Sequence, residues 1–120
     1  LGLTAAQAPY VLRICANPGM NQEDLARGLH VNPSNAARQL ALLEAAGYIE
    51  RAPDPQDKRG LTACPTQKAM DAFPEIRRAN AQWQDYLTRD MAEHEKETLE
   101  RLLNEVCERA VRWSAAMEEA

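Results

Sequence analysis

Aromatic residues, long apolar runs and paired cysteines are scarce or missing in this chain of 120 residues. Only one Phe, two Trp and three Tyr are present, whereas Ala, Leu, Glu and Arg abound, a composition that favours helices over sheet. The apolar stretches are short and broken by charge, so none approaches the roughly 20 residues needed to cross a bilayer. No apolar leader with a cleavage site is present, so nothing supports secretion. The chain opens with Leu1 and is interpreted as a fragment of a soluble, mostly helical protein without a membrane partner.

The three cysteines, Cys15, Cys64 and Cys107, are an odd number and lie far apart. They cannot form a disulfide framework, which predicts a reducing, cytoplasmic location. The two histidines, His30 and His94, have no further ligand at metal-binding spacing. No nucleophile, base and acid recur in a catalytic pattern, and no Gly-rich phosphate loop follows a strand. The sequence therefore predicts no catalytic residue, cofactor or metal site, and no enzyme.

Charge is distributed unevenly along the chain. The net charge is −4, which by itself disfavours a polyanionic partner. Residues 1–89 carry ten basic and nine acidic residues, a net of +1, whereas residues 90–120 carry four basic and nine acidic residues, a net of −5. The acidity is thus confined to the last segment, and the first three quarters can still present a basic surface.

Helix start and stop signals predict two short helices separated by a tight turn. Asn21 is a typical N-cap for a helix that runs to about His30. Asn32 caps the next helix, Pro33 suits its first position, and Gly47 supplies the left-handed residue that ends it. Two helices joined in this way are typical of a helix-turn-helix, whose second helix presents a polar face outward.

A β-hairpin is predicted directly after the second helix. Residues 48–51 and 61–64 are the strands, and residues 52–60 form a charged, turn-rich tip between them. A hairpin in this place is a wing. The predicted fold is therefore mainly α with a small β-hairpin wing: a winged helix-turn-helix followed by long C-terminal dimerisation helices.

From Thr66 the chain is predicted to be helical with one interruption, after which Asp90 and Glu93 fit a capping box. An apolar seam sustained over nearly three heptads follows, and it is too long to be covered by a small winged domain. A second copy of the chain is its natural partner. The seam consists of Leu99, Leu102, Val106, Ala110, Trp113 and Met117. We accordingly divide the chain into a DNA-binding region, 1–65, and a helical dimerisation region, 66–120.

Side chains that suit double-stranded DNA lie at two places in this arrangement. Near the start of the second helix, Arg38 can bond a guanine edge, and Asn35 or Gln39 an adenine edge. Ser34 adds a hydroxyl, and the free amides at the helix start can bind a phosphate. At the wing tip, Lys58 and Arg59 can enter a minor groove, with Asp57 expected to hold Arg59 by an ion pair.

Each of these features also has a simpler interpretation. A polar helix face is usually a solvated face, and charges on a loop tip are usually solubilising. The order of the elements favours DNA binding over these alternatives. A winged-helix module for protein–protein contact, using the acidic C-terminal segment and no DNA, is the alternative function. An enzyme subunit ranks below both.

The same residues carry a family resemblance over most of the chain. The matching stretches are Leu3-Thr4-x-x-Gln7, Asn21-Gln22-x-x-Leu25-Ala26, Val31-x-Pro33-Ser34, Leu43-Glu44-x-x-Gly47-Tyr48-Ile49-Glu50-Arg51, Asp54-x-x-Asp57-x-Arg59 and Thr66-x-Lys68. In this order and spacing the chain resembles the MarR family of bacterial transcription regulators. The resemblance implies a homodimer that binds a pseudo-palindromic operator and represses transcription. It also implies that a small aromatic or phenolic effector, or oxidation in some members, releases the dimer from DNA.

By the same resemblance, Ser34, Asn35, Ala37 and Arg38 match DNA-contact positions of the recognition helix, and the pair Asp57 and Arg59 matches the wing tip. Ala37 stands where a hydroxyl residue is common, so one polar contact is lost. Family members usually carry a further helix before the Leu-Thr-x-x-Gln stretch, which this sequence does not include. In the oxidant-sensing branch the sensing cysteine lies in that helix, so none of the three cysteines inherits the role.

Overall fold

A computed structural model describes residues 2–119 and places helices around a small antiparallel sheet. The helices are α1 (Ala8–Ala16), α2 (Gln22–Gly28), α3 (Pro33–Ala45), α4 (Gln67–Leu87) and α5 (Glu93–Glu119), and the strands are β1 (Met20–Asn21), β2 (Ile49–Asp54) and β3 (Asp57–Pro65). This mainly helical architecture with a wing confirms the predicted fold class. Leu1 and Ala120, the outer limits of the two predicted regions, lie outside the described residues.

One apolar core joins α1, α2, α3, the base of the wing and the beginning of α4. Its largest fully buried side chains are Val11, Ile14, Leu25, Leu40, Leu43 and Ile49. The first half of α4 contributes Ala69, Ala72 and Ile76 to the same core. Because α4 begins inside the winged domain and then leaves it, this helix connects the core directly to the C-terminal region.

The ends of α3 are set by the residues that the sequence indicated. The Asn32 side chain accepts the backbone amide of Ser34 at 2.7 Å, and Pro33 occupies the first turn. Gly47 follows the helix with a φ of +85°, a conformation that side chains rarely adopt. Ala36, Leu40 and Leu43 are buried along one side of α3, so the opposite side of the helix is presented to solvent.

The sheet has three strands, in the order β1-β3-β2, where the sequence predicted only a hairpin. The additional strand β1 pairs Met20 with Ala63 and Asn21 with Thr62. A strand of two residues has no detectable period in sequence, and its existence depends on β3, which lies more than 40 residues further along the chain. The wing is therefore paired, through its central strand, with the segment that leads into α2.

The predicted nine-residue wing tip is wrong in its extent. The ladder continues from Pro53 opposite Leu61 to Asp54 opposite Asp57, and it contains an irregularity between Pro53 and Asp54. Only residues 55 and 56 form the turn. The Asp54 carboxylate accepts the backbone amide of Gln56 at 2.9 Å, so a side chain satisfies the turn and allows the strands to approach closely.

The interruption between α4 and α5 was predicted, but the capping box was assigned to the wrong residues. Asp90 has a φ of +70° and turns the chain, and α5 begins at Glu93. The carboxylate that reaches back is that of Glu95, which accepts the backbone amide of Ala92 at 2.8 Å. Both Asp90-x-x-Glu93 and Ala92-x-x-Glu95 place a glutamate three residues after a possible cap. With Asp90 in the left-handed turn, the pair that forms is Ala92 and Glu95.

Candidate nucleic-acid interface

The outward side of α3 brings together the predicted recognition residues. Ser34 and Arg38 are exposed and one turn apart, and Asn35, Ala37 and Gln39 are half-buried. The Arg38 Nη2 atom donates a hydrogen bond to Asn35 Oδ1 at 3.3 Å. Two groups able to read base edges are thus held side by side, and the guanidinium retains donors for a further partner.

Arg38 also influences a buried residue of α1. Burial raises the pKa of the Tyr10 hydroxyl, and the positive charge of Arg38 opposes this shift. The Tyr10 oxygen has no hydrogen-bond partner among the described residues. The structure thus ties the guanidinium to Asn35, while its charge also acts on the buried Tyr10 of α1.

The wing tip presents Asp57, Lys58 and Arg59 to solvent. The predicted ion pair between Asp57 and Arg59 is not among the salt bridges of the described residues. Instead, Asp57 Oδ1 accepts the backbone amide of Arg59 at 3.0 Å. An aspartate side chain readily accepts the backbone amide two residues further on, and this local bond occupies the Asp57 carboxylate. Asp57 therefore fixes the backbone and leaves the guanidinium available.

Contacts that the sequence did not predict connect the wing to α2 and α3. Arg51 of β2 forms a salt bridge with Glu44 of α3, with 3.0 Å between Nη2 and Oε1, and its backbone amide donates to the same carboxylate. Arg51 Nη1 also lies 3.5 Å from Gln22 Oε1 at the start of α2. These hydrogen bonds from Arg51 hold the pKa of Glu44 below its ordinary value. Periodicity gives no sign of such a link, because its members belong to three elements.

The Asn21 side chain forms a third link, between α2 and the wing turn. Its Oδ1 atom accepts the amides of Glu23 and Asp24 and so caps α2, while its Nδ2 atom donates to Asp54 Oδ2 at 2.6 Å. The amide of Gln56 and the Asn21 side chain both lower the pKa of Asp54, so the carboxylate stays charged to a lower pH than an ordinary aspartate. The sequence showed the cap but not the second bond.

The start of α4 contacts the end of the recognition helix. Lys68 Nζ donates to the Ala46 carbonyl at 2.7 Å and lies 4.4 Å from the centre of the Tyr48 ring. The Thr66 hydroxyl donates to the Gly47 carbonyl at 2.6 Å. A cation at a helix C-terminus complements the helix dipole, so α4 stabilises the corner that follows α3.

The predicted seam on α5 remains largely exposed in the single chain. Leu102, Val106, Trp113 and Met117 are 46%, 63%, 70% and 60% exposed. Ala110 is also exposed and Leu99 is half-buried. An apolar stripe of this kind on an otherwise charged helix needs a covering surface. Within the described residues, no helix is both long and apolar enough to cross a membrane.

An apolar groove of about 700 Å³ lies between the N-terminal turn, α1 and α4. Leu3, Ala8, Pro9, Ile76 and Trp83 line it. Tyr86 and Trp113 are not among the described residues that line it. Tyr86 instead stacks on Trp83, with 6.4 Å between the ring centres.

The cysteines are placed apart from this groove. Cys64 is exposed, Cys15 and Cys107 are half-buried, and all three are free. Burial raises the pKa of Cys15, which makes its thiol less reactive. Among the described residues, His, Cys, Asp and Glu form no cluster able to hold a metal ion.

Comparison with known proteins identifies the family to which this geometry belongs. A family model described as the MarR family matches residues 1–60. The uncharacterised HTH-type transcriptional regulator YybA of Bacillus subtilis (strain 168) is 37% identical over 106 residues, which are 88% of this chain and 71% of the relative. The chain belongs to the MarR family.

Solved structures of MarR-family proteins have the same fold. The transcriptional regulator SlyA matches with a TM-score of 0.77 at 30% identity, over 92% of this chain and 78% of that one. A MarR-family regulator from Listeria monocytogenes, crystallised with a 26mer DNA, matches with a TM-score of 0.79 at 27% identity, over 95% of this chain and 76% of that one. The predicted family and the prediction of a transcription regulator, rather than a protein-contact module or an enzyme, are therefore confirmed.

Proposed function

We propose that this MarR-family chain is a homodimeric, sequence-specific DNA-binding repressor, in which residues 1–65 bind DNA and residues 66–120 form the dimer. The observation that carries this proposal is that the recognition helix and the wing tip both expose DNA-binding side chains to solvent. The capped start of α3 exposes Ser34 and Arg38, and the wing tip exposes Lys58 and Arg59 on the same sheet-linked body. The DNA complex of the Listeria relative supports this assignment.

In this proposal the recognition helix reads the major groove. Arg38 donates to a guanine edge, and Asn35 and Gln39 pair with adenine. Ala37 offers a methyl group that suits apolar contact with thymine. The amides at the start of α3, together with Ser34, bind a backbone phosphate and set the register.

The wing supplies cations to the flanking DNA. Lys58 and Arg59 lie at its tip, and Arg59 keeps its guanidinium available because Asp57 binds the backbone amide instead. Contacts of this kind are made to phosphates or to a narrow minor groove. They raise affinity for all sequences more than they select one sequence.

Dimerisation places two recognition helices on successive turns of a pseudo-palindromic operator, about 34 Å apart. The exposed seam on α5 supplies the apolar contact surface. Two copies of one patch related by a two-fold axis form a closed, self-complementary interface.

A small aromatic or phenolic effector fits the apolar groove beside Trp83. The groove is lined from α1 and from α4, and α4 also holds the end of α3 through Lys68. Binding that displaces α4 would move the recognition helices relative to each other and lower DNA affinity.

The decisive experiment is fluorescence anisotropy with a promoter fragment and a scrambled duplex, repeated across salt concentrations. We expect specific binding that weakens by about three orders of magnitude between about 50 and about 200 mM salt. Arg38→Ala is expected to relax base preference, whereas Arg59→Ala weakens binding to both duplexes and reduces the salt slope by about one. Arg101→Ala, on the acidic surface of α5, is the matched control. Equal affinity for both duplexes at every salt concentration would refute the proposal.

A further inference from the structure

The side-chain amide of Asn21 connects α2 to the wing, two elements that the proposed function requires to keep a fixed relative position. Its oxygen caps α2, the first helix of the helix-turn-helix, and its nitrogen binds the Asp54 carboxylate at the end of β2. Asn21 is half-buried and also pairs through its backbone with Thr62 of β3. One side chain thus uses both ends of its amide to join a helix start to the wing turn.

From Asp54 the chain of hydrogen bonds continues to the wing tip. The second oxygen of Asp54 accepts the amide of Gln56 at 2.9 Å. One residue further, the carboxylate of Asp57 accepts the amide of Arg59 at 3.0 Å. Two sets of side-chain hydrogen bonds, joined by the peptide bond between Gln56 and Asp57, therefore connect the start of α2 to the backbone of Arg59.

Gly60 packs closely against this link. A Cβ atom added to Gly60 would lie 3.0 Å from Asn21 Nδ2 and 3.5 Å from Asp54 Cβ. Gly60 therefore leaves just enough space for the amide and the carboxylate to meet. A side chain at this position would therefore push the Asn21 amide away by a few tenths of an ångström, whereas the backbone of Gly60 is not left-handed.

We propose that Asn21 and Asp54 are positioning residues for DNA binding, which hold the wing cations at a fixed distance from the recognition helix. The inference rests on the proposed function, since it assumes that Arg59 contacts DNA. Neither residue need touch the nucleic acid. Their pairing sets where the guanidinium of Arg59 is presented, while α2 packs against α3 in the shared core.

The pair can be tested by exchanging its two members. Asn21→Asp retains a good helix cap, because Asp and Asn are equivalent N-caps, but it places a second carboxylate against Asp54. The double variant Asn21→Asp/Asp54→Asn restores one amide donor and one carboxylate acceptor in reversed order. Gly60→Ala provides an independent disturbance of the same contact.

We expect Asn21→Asp to lower affinity for the promoter fragment about tenfold and to reduce the salt slope by about one, and the exchanged pair to return both to near the wild-type values. Gly60→Ala is expected to resemble Asn21→Asp. In an Arg59→Ala background, Asn21→Asp should cost less than about twofold, since the residue it positions has been removed. Thermal unfolding of each variant verifies that the fold is retained.

The outcomes separate this inference from the proposed function. If the wild-type chain binds no promoter DNA, the proposed function itself fails. If Arg59→Ala weakens binding and Asn21→Asp costs the same factor in both backgrounds, only the positioning role is overturned. A folded exchanged pair that binds as weakly as Asn21→Asp would overturn it as well.

Discussion

The exposed seam on α5 predicts that one substitution will dissociate the dimer without unfolding the chain. Val106 lies in the middle of the seam and is 63% exposed in the single chain. Val106→Asp therefore removes little from the monomer, because substitutions at exposed positions usually change stability by less than about 0.5 kcal/mol. In a two-fold dimer the same change occurs twice at the interface.

The magnitude follows from the area that the dimer would cover. Complete burial of a valine side chain contributes about 1.5–3 kcal/mol, and about two thirds of Val106 is available for burial by a partner. Two copies therefore lose about 2–4 kcal/mol together, before the desolvation of two carboxylates is added. The dissociation constant of the dimer should rise at least about thirtyfold.

Sedimentation velocity over a concentration series, followed by promoter binding on the same samples, measures this effect. Asn104→Asp is the matched control, because it adds the same charge to the same helix on the polar surface that also includes Glu100 and Glu105. We expect Val106→Asp to be monomeric where the wild type and the control are dimeric, and to bind the operator far more weakly. A Val106→Asp protein with an unchanged dimer constant would refute the assignment of the seam.

Two further predictions concern the contacts that hold α3. Lys68→Met removes the hydrogen bond to the Ala46 carbonyl and the contact with the Tyr48 ring, and should lower the free energy of unfolding by about 1–2 kcal/mol in urea titrations. Lys58→Met at the wing tip is the control. An equal loss of stability in the two variants would contradict the reasoning. The pKa of Glu44 is lowered by Arg51, so its contribution to stability is complete above the ordinary glutamate pKa of about 4.3 and is lost as pH falls through the lower, folded value. Glu44→Gln should therefore lose less stability than the wild type between about pH 5 and about pH 3, and coincident acid profiles would disprove this linkage.

Local signals predicted the parts of the fold that local chemistry determines. Asn32, Pro33 and Gly47 defined α3 because caps and left-handed residues act on their own helix. The surface residues Ser34 and Arg38 followed from the helical period once the buried side was known.

The parts that sequence could not predict depend on distant partners. Strand β1 exists only because β3 pairs with it, and the short wing turn depends on Asp54 accepting an amide. The links from Asn21 to Asp54 and from Lys68 to Ala46 join residues separated by 33 and 22 positions. No period or cap in a single sequence reports such pairs, because they form only after the core has brought the elements together.

The shared central strand has a consequence for how this protein accommodates different operators. Since β3 is hydrogen-bonded on one edge to the wing and on the other to the segment entering α2, the wing has no hinge of its own. In the proposed dimer, each half would then meet DNA as one rigid unit, with a fixed distance between the recognition helix and the wing tip. In that dimer, variation in groove width or half-site spacing would have to be absorbed by α4 and α5, which connect the DNA-binding region to the proposed interface.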